Sequence, residues 1–413
     1  MDLTIRTLDP SDADAFIELD DAAFSVRSDL SRRAATAVTT EWPRLLGAFD
    51  PDGVLCGAAG AFSQTLTLPG GARVPVAGVT AVGVLPTHRR RGVLRTLMAH
   101  QLDDVADRGE PIAVLTASEA TIYGRFGYGV ATRQMSVHLD LDHAAYAVDV
   151  PGEWVLRLVD DAEAIQVAPA VFDAHVASCP GGLTRPDSFW PAVFSPTESW
   201  VGGGEHFTVL ISRPGEVACG YAVYRVARDT PIGHWKTVVS EVVAADDDAE
   251  AALWRYLLDV DLTSSLEFRG APIDARVRWR LADPRAYRST GERDFLWLRA
   301  VDPVAALRAR GYDAPGRLVI ELHDAFRPVA SGRFLLEVGT DAAGRPSEAS
   351  VTGTGAEPDL VMGAPELGAV YLGGVRPSTL AAAGRIETSS TDALAVADRM
   401  FRAERLPYCS TEF

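Results

Sequence analysis

The stretch Val82-Gly83-Val84-Leu85-Pro86-Thr87-His88-Arg89-Arg90-Arg91-Gly92-Val93-Leu94 decides the fold of the amino-terminal region. A β-rich run ends before Pro86, a basic turn with one glycine follows, and a helical pattern then begins. Apolar residues recur three and four positions apart in that helix, which places them on one stripe. Strand, turn and helix in this order predict the start of a crossover unit. The stripe consists of Leu94, Leu97, Met98, Leu102 and Val105.

The turn has the chemistry of an anion-binding site. Backbone N–H groups in the first turn of a helix, here from Val93 onward, lack intrahelical partners, and the helix dipole favours negative charge there. Gly92 lets the backbone approach a phosphate without an intervening Cβ, and Arg89 and Arg90 add charge-assisted contacts. The turn therefore predicts a pyrophosphate site. The alternative is an exposed basic turn before a surface helix.

Composition narrows the class of protein. The chain has 413 residues, of which 47% are hydrophobic and 23% charged, and its formal net charge is −17. Two or three soluble globular domains are therefore expected. The acidic balance argues against nucleic-acid binding, which needs a basic surface, and favours cationic substrates. An acidic proteome rich in arginine explains the same balance, since the only lysine is Lys236.

Cysteine spacing and hydropathy give further expectations. The cysteines show no CxxC or finger spacing, so neither a disulfide framework nor a metal site is expected. The amino terminus lacks a signal-peptide pattern, and no apolar run is long enough to span a membrane. We therefore expect a cytoplasmic protein without a metal ion or a membrane span. The cysteines are Cys56, Cys179, Cys219 and Cys409.

Around the turn, alternating strand and helix signals predict three segments without internal repeats. Ser11 is predicted to cap a first helix that carries Phe16, Leu19 and Phe24 on its apolar face. Further helices are expected at 249–258, from 303 onward, and at 378–384 and 391–401. Strands are expected at 3–8, 45–49, 54–68, 76–84, 112–117, 207–211, 220–226, 295–298, 317–322 and 333–338.

The order Arg-x-x-Gly-x-[small] after a strand resembles the acetyl-CoA loop of GNAT acetyltransferases. Arg89 and Gly92 match, and Leu94 replaces the usual small residue. The run Ala117-Ser118-Glu119-Ala120-Thr121-Ile122-Tyr123-Gly124-Arg125-Phe126-Gly127-Tyr128-Gly129 narrows the resemblance to the Eis (enhanced intracellular survival) family of N-acetyltransferases. Other matching runs extend it over nearly the whole chain, namely Pro180–Leu183, Gly220–Val226, Leu296–Arg299, Tyr371–Gly373, Ser378–Ala383 and Glu412–Phe413.

This resemblance implies a mixed α/β fold of the α+β type. It consists of two GNAT-type acetyltransferase regions followed by a C-terminal region like sterol carrier protein, which ends in the active site. The regions are expected at residues 1–148, 149–300 and 301–413. The resemblance also implies acetyl-CoA as the cosubstrate and assembly into a homohexamer.

The same resemblance assigns two catalytic groups. Tyr123 corresponds to the general acid, and a phenol, which titrates near pH 10, stays protonated at neutral pH. Tyr128 is the nearest alternative acid, and the other interpretation of Tyr123 is a packing residue. The carboxylate of Phe413 corresponds to the general base. A free α-carboxylate titrates near 3.3–3.7, and burial would raise that pKa; an ordinary chain end would instead be a frayed tail.

Further residues correspond to binding positions of the family. The backbone of Val82, Gly83 and Val84 would bind the pantetheine arm as an added strand, although the valine side chains also suit a core. Ser118 is placed near the thioester or substrate, and a helix N-cap is equally plausible for it. The remaining substrate-binding candidates are Phe24 and Glu412.

The expected acceptor is the primary amine of a small cationic molecule, either aminoglycoside-like or polyamine-like. The family pattern for aminoglycosides has Asp where this chain has Val26, which argues against broad aminoglycoside acceptance; Asp29 is an alternative acidic group. A protein or peptide lysine is the alternative acceptor. A non-catalytic module that binds acetyl-CoA or a lipid is the other class of function, although such a module needs neither Tyr123 nor Phe413.

Overall fold

The computed structural model describes residues 2–194, 205–228 and 230–413. These residues form two compact units. The first unit takes the described residues of 1–132, 295–407 and 411–413, and the second takes those of 133–294 and 408–410. The predicted region boundaries at 148/149 and 300/301 stay a prediction.

Residues 2–132 form the amino-terminal part of the first unit, and the elements follow the predicted order. Its helices are α1 Ala13–Phe24, α2 Leu30–Thr39, α3 Val93–Asp107 and α4 Ala120–Tyr123. Its strands are β1 Thr4–Thr7, β2 Leu46–Phe49, β3 Leu55–Thr67, β4 Arg73–Val84, β5 Ile112–Thr116 and β6 Gly129–Val130.

Residues 133–294 supply most of the second unit. The helices are α5 Asp161–Ala177, α6 Trp190–Phe194, α7 Asp247–Leu258 and α8 Val277–Arg280. The strands are β7 Arg133–Asp140, β8 Val155–Val159, β9 His206–Ser212, β10 Ala218–Ala227, β11 Trp235–Ala244, β12 Thr263–Ala271 and β13 Tyr287–Asp294.

Residues 295–413 return to the first unit, except for 408–410. The helices are α9 Pro303–Ala309, α10 Ala364–Tyr371, α11 Pro377–Ala382 and α12 Thr391–Phe401. The strands are β14 Leu296–Ala300, β15 Gly316–His323, β16 Gly332–Thr340, β17 Pro346–Gly353, β18 Leu360–Gly363 and β19 Ile386–Thr388.

The predicted elements are all present, with ends shifted by a few residues. The cap before α1 is different: Ser11 was predicted to cap the helix, and that prediction was wrong. Asp9 accepts hydrogen bonds from the backbone N–H and the hydroxyl of Ser11, and it caps the 3₁₀ turn Pro10–Asp12 that leads into α1. The capping carboxylate therefore lies two residues before Ser11, and Ser11 is its donor rather than a cap.

The first unit contains two sheets. The larger one has the strand order β1-β2-β3-β4-β5-β14-β6, and its pairs are antiparallel except for β4 with β5. The smaller one has the order β17-β16-β15-β18-β19. Helix α3 packs on the larger sheet through the predicted stripe, in which Leu97, Met98, Leu102 and Val105 are fully buried.

The parallel pair β4 and β5 is short. Only Val76–Gly78 pair with Ile112–Val114, and beyond these residues the two strands part. On its other edge β4 stays paired with β3, but the register shifts where Ala81 adopts a φ of +50°. A bulge of this kind bends the strand that carries it. The result is a fork between the carboxyl ends of β4 and β5.

The second unit contains one sheet with the order β13-β7-β12-β11-β10-β9-β8. Again one pair, β11 with β12, is parallel, and α7 crosses between these strands as α3 does between β4 and β5. Asp246 caps α7 by accepting from the backbone N–H groups of Asp248 and Ala249. The acidic run around Asp246 therefore forms the start of α7.

Candidate active site

The predicted anion site lies at the amino end of α3. A 3₁₀ turn at Pro86–His88 follows β4, Arg90 has a φ of +63° and Gly92 a φ of +88°, and the helix then begins at Val93. A Cβ placed on Gly92 would meet nothing within 4 Å, so the space in front of this backbone is open. The glycine is required by its backbone conformation, and the open space is suitable for a ligand.

The arginines of this turn are exposed, as a phosphate site requires. Arg89 donates one hydrogen bond to the backbone carbonyl of Ala23 at 3.0 Å, which ties the turn to the end of α1. His88 lies 3.2 Å from a carboxylate oxygen of Asp50. His88 is thus a residue that holds the turn.

Val82, Gly83 and Val84 form the end of β4, beyond the bulge. One edge of this segment pairs with β3, and along the other edge the described residues supply no strand partner, because β5 pairs only with Val76–Gly78. The side chains of Val82 and Val84 pack against buried apolar clusters. The same residues can therefore pack in the core through their side chains and present a backbone edge to a ligand.

Tyr123 ends the short helix α4, directly after β5, and is 6% exposed. Within the part of the chain that the structure describes, its hydroxyl has no hydrogen-bond partner. Burial raises the pKa of this hydroxyl, and the nearby Glu119 carboxylate raises it further. Tyr123 therefore remains protonated at neutral and mildly alkaline pH, as a proton donor must.

Tyr128, the competing candidate, is fully buried and packs edge-on against Tyr123 with 6.1 Å between the ring centroids. Its hydroxyl also lacks a hydrogen-bond partner among the described residues, but the oxygen is not accessible to solvent. A group so enclosed cannot reach a substrate without rearrangement of the core. The geometry thus favours Tyr123.

Phe413 lies at the fork between β4 and β5. Its main-chain oxygen accepts a hydrogen bond of 3.2 Å from the hydroxyl of Thr116, the last residue of β5. Its ring lies against Gly78, where a Cβ would come within 3.2 Å of the ring carbon Cε2. Phe413 is half-buried rather than frayed. Thr116 and Gly78 are not recognisable as site residues from the sequence, since a strand-end threonine carries no signal without its partner.

The other binding candidates are on the surface. Phe24, the last residue of α1, is 46% exposed, and Glu412 is exposed beside Phe413. Ser118 is exposed between β5 and α4, where Glu119 occupies the N-cap position without a side-chain cap bond. The structure therefore does not give Ser118 the capping role, and it leaves its side chain accessible.

Two features of the described residues bear on cofactors and membranes. Among residues 2–194, 205–228 and 230–413, no group of three or more His, Cys, Asp or Glu side chains is arranged to hold a metal ion. In the same ranges no helix combines the length and the apolar character needed to cross a membrane.

Comparison with protein families reproduces the expected architecture. Residues 4–131 and 181–300 each match a family described as an acetyltransferase (GNAT) domain. Residues 303–410 match a sterol carrier protein domain. The predicted fold class, two GNAT domains followed by a region like sterol carrier protein, is thereby confirmed, and GNAT domains imply acetyl-CoA as the cosubstrate.

Individual relatives agree with this result. An uncharacterized N-acetyltransferase of Streptomyces coelicolor is 42% identical over 375 residues, covering 89% of each chain. The N-acetyltransferase Eis of Mycobacterium tuberculosis is 36% identical over 359 residues, covering 86% of this chain and 85% of that one. The crystal structure of Eis1 from Mycobacterium abscessus superposes with a TM-score of 0.87 at 34% identity, covering 99% of this chain and all of the other. With such identity over most of its length, the chain belongs to the Eis family of GNAT N-acetyltransferases.

Proposed function

We propose that this protein transfers the acetyl group of acetyl-CoA to a primary amine of a small cationic molecule, with Tyr123 as general acid and the Phe413 carboxylate as general base. The observation that carries the proposal is the hydrogen bond from Thr116 to the main-chain oxygen of Phe413. It holds that oxygen at the fork of the first sheet.

The residues of the turn suit the cosubstrate. Exposed Arg89 and Arg90, the open space at Gly92 and the first N–H groups of α3 would hold the pyrophosphate. The edge of Val82–Val84 that has no strand partner among the described residues would bind the pantetheine arm as a strand is bound. When bound, acetyl-CoA supplies an activated acyl group on a thiolate leaving group.

The corresponding place in the second unit lacks these properties. There the first N–H groups of α7 are already satisfied by the carboxylate of Asp246, and acidic residues follow in the first turn. A phosphate at that helix would lose its donors and meet like charges. The proposal therefore assigns one acetyl-CoA site to each chain, in the first unit.

Proton transfer is assigned to two groups of the first unit. The Phe413 carboxylate accepts the proton that the attacking amine loses as the new amide bond forms. The Tyr123 hydroxyl gives its proton to the departing sulfur as the carbon–sulfur bond breaks. The raised pKa of Tyr123 keeps that proton in place until the sulfur becomes basic.

The charges around these groups support a cationic acceptor. Glu412 is exposed next to the Phe413 carboxylate, the Glu119 carboxylate lies near Tyr123, and the chain has a net charge of −17. Negative charge at the site attracts a cationic amine. Val26 replaces the Asp of the family pattern for aminoglycosides, and the exposed Asp29 is an alternative acidic group. Aminoglycosides therefore stay one candidate class beside polyamines. The lysine-peptide alternative stays open, and the implied homohexamer stays a prediction.

The turn assignment predicts that Gly92→Asp weakens CoA binding about tenfold or more, because it brings a negative charge toward the phosphates. Gly109→Asp is a matched control, since Gly109 also has a positive φ (+73°), faces open space and lies just beyond the other end of α3. Isothermal titration calorimetry with CoA checks both variants. Equal affinity of Gly92→Asp and wild type would refute the site.

The acid assignment predicts that Tyr123→Phe lowers kcat by roughly 10²–10⁴-fold, the usual worth of general acid catalysis. Tyr128→Phe is the control, since it removes a buried hydroxyl that has no partner among the described residues. Thiol release from acetyl-CoA measures both. A loss below about threefold in Tyr123→Phe, or a large loss in Tyr128→Phe alone, would contradict the assignment.

The base assignment predicts that activity depends more on the position of the Phe413 carboxylate than on the Phe413 side chain. One glycine added after Phe413 moves the carboxylate by up to about 3.8 Å, whereas a misplacement of about 1 Å already costs on the order of 10²-fold. Phe413→Leu leaves the carboxylate in place and should keep most activity. Steady-state kinetics should show a large loss of kcat for the extended chain and a nearly normal kcat for Phe413→Leu, with CoA affinity unchanged in both. Full activity of the extended chain would remove Phe413 from the mechanism.

The acceptor assignment is tested with a panel of polyamines, lysine peptides and kanamycin-like compounds. It predicts that the cationic amines that are acetylated have kcat/KM values that fall as salt rises, because salt screens exposed charges. Neutral primary amines are the control and should show little salt dependence. The panel also ranks the open acceptor classes. Exclusive acetylation of neutral or acidic amines would be the contrary result.

A further inference from the structure

Arg299 in β14 is among the most deeply buried charged residues of the first unit. Its side chain is 0% exposed and pairs with Asp324, whose side chain is 1% exposed. A buried ion pair is weak evidence for stability, because well-packed apolar side chains of similar volume often do as well or better. Such a pair does fix the orientation of the groups it contacts, since the guanidinium fork holds its partners in one plane.

The fork of Arg299 reaches the segment that follows Tyr123. One terminal nitrogen donates to Asp324 and the other to the backbone carbonyl of Phe126. A Cβ placed on Gly127 would overlap the Arg299 nitrogen that donates to Phe126, and Gly127 has a φ of +86°. Any side chain at Gly127 would therefore displace the guanidinium, so this turn is built around Arg299.

Asp324 is itself held in place. One carboxylate oxygen accepts the backbone N–H groups of Phe326 at 3.0 Å and Arg327 at 2.7 Å, while the other faces Arg299. The ring of Phe326 packs edge-on against Phe126 with 4.8 Å between centroids. The loop after β15, in the region like sterol carrier protein, thus forms a fixed support against the Phe126 turn.

The supported turn is short and continuous with Tyr123. The backbone carbonyl of Tyr123 accepts from Tyr128, and that of Gly124 accepts from Gly127. Phe126, the residue that Arg299 holds, is three positions after Tyr123. A displacement of the Phe126 carbonyl would therefore be transmitted to the tyrosine through one tight turn.

We propose that Arg299 is a positioning residue for Tyr123, acting through the Phe126 carbonyl with Asp324 as its anchor. The region like sterol carrier protein then has a part in catalysis, because it supplies the anchor. This inference rests on the proposed role of Tyr123 as the acid. It adds a residue that touches neither the acceptor nor the thioester.

The test neutralises the pair with Arg299→Gln/Asp324→Asn, which leaves no unpaired charge buried. We expect kcat for thiol release to fall about tenfold or more, while KM for acetyl-CoA changes little. The matched control is Arg44→Gln/Glu110→Gln. That pair is also buried, at 3% and 9% exposed, but lies at the amino end of β5, away from Tyr123. It should lose stability without losing kcat in the folded protein.

Arg299→Lys keeps the charge but not the fork, and it should retain an intermediate kcat. If the doubly neutral variant does not fold, Arg299→Lys decides: a kcat reduced several-fold at unchanged KM supports the proposal, and a wild-type kcat overturns it. Equal kcat losses in the Arg299 and Arg44 pairs would also overturn it, because they would show a general effect of buried charge.

Adding Tyr123→Phe to the neutral variant separates the two proposals. If Arg299 acts through Tyr123, the second change costs much less than it does in the wild type, because the two effects are not additive. Full additivity overturns the positioning role while Tyr123 keeps its own. No effect of Tyr123→Phe in the wild type would instead refute the proposed acid, and the positioning role with it.

Discussion

The first unit depends on a pairing that stops early. β4 and β5 run parallel for only three residue pairs, and the left-handed Ala81 then bends β4 away. A non-glycine residue at positive φ costs free energy, on the order of 1–3 kcal/mol, and persists where the surroundings enforce it. Here the bend creates the fork in which Phe413 lies. The turn of α3 and the Tyr123 helix then follow the two strand ends.

The second unit repeats this plan with a different outcome. β12 leaves β11 after Phe268, which gives a second fork. There Tyr408 donates to the backbone carbonyl of Gly270 in β12. Arg185, which pairs with Glu241 of β11, reaches the carbonyl of Ser410. The chain's own segment thus makes the contacts of this fork, whereas in the first unit the described residues give one edge of Val82–Val84 no strand partner.

The sequence was sufficient for the elements that obey a local rule. The stripe of α3 and the turn around Gly92 each depend on neighbours in the chain, so spacing alone predicts them. Helix α5 was missed because Pro169 lies inside it, and proline normally ends a helix. The contacts of Thr116 with Phe413 and of Arg299 with Phe126 join residues distant in sequence, and no local pattern encodes such pairs.

Strand β14 imposes an order on folding during synthesis. It pairs with both β5 and β6, yet it follows the whole stretch 133–294 in the chain. At about 5–20 residues per second, the ribosome needs roughly 10–30 s to make that stretch. During this time the β5 edge of the emerging first sheet has no partner, and an open edge is a site for aggregation. The intervening stretch, in contrast, forms its own sheet from consecutive residues. The part of the first sheet that ends at Thr116 is therefore synthesised early, but its β5 edge is paired only after β14 has been made.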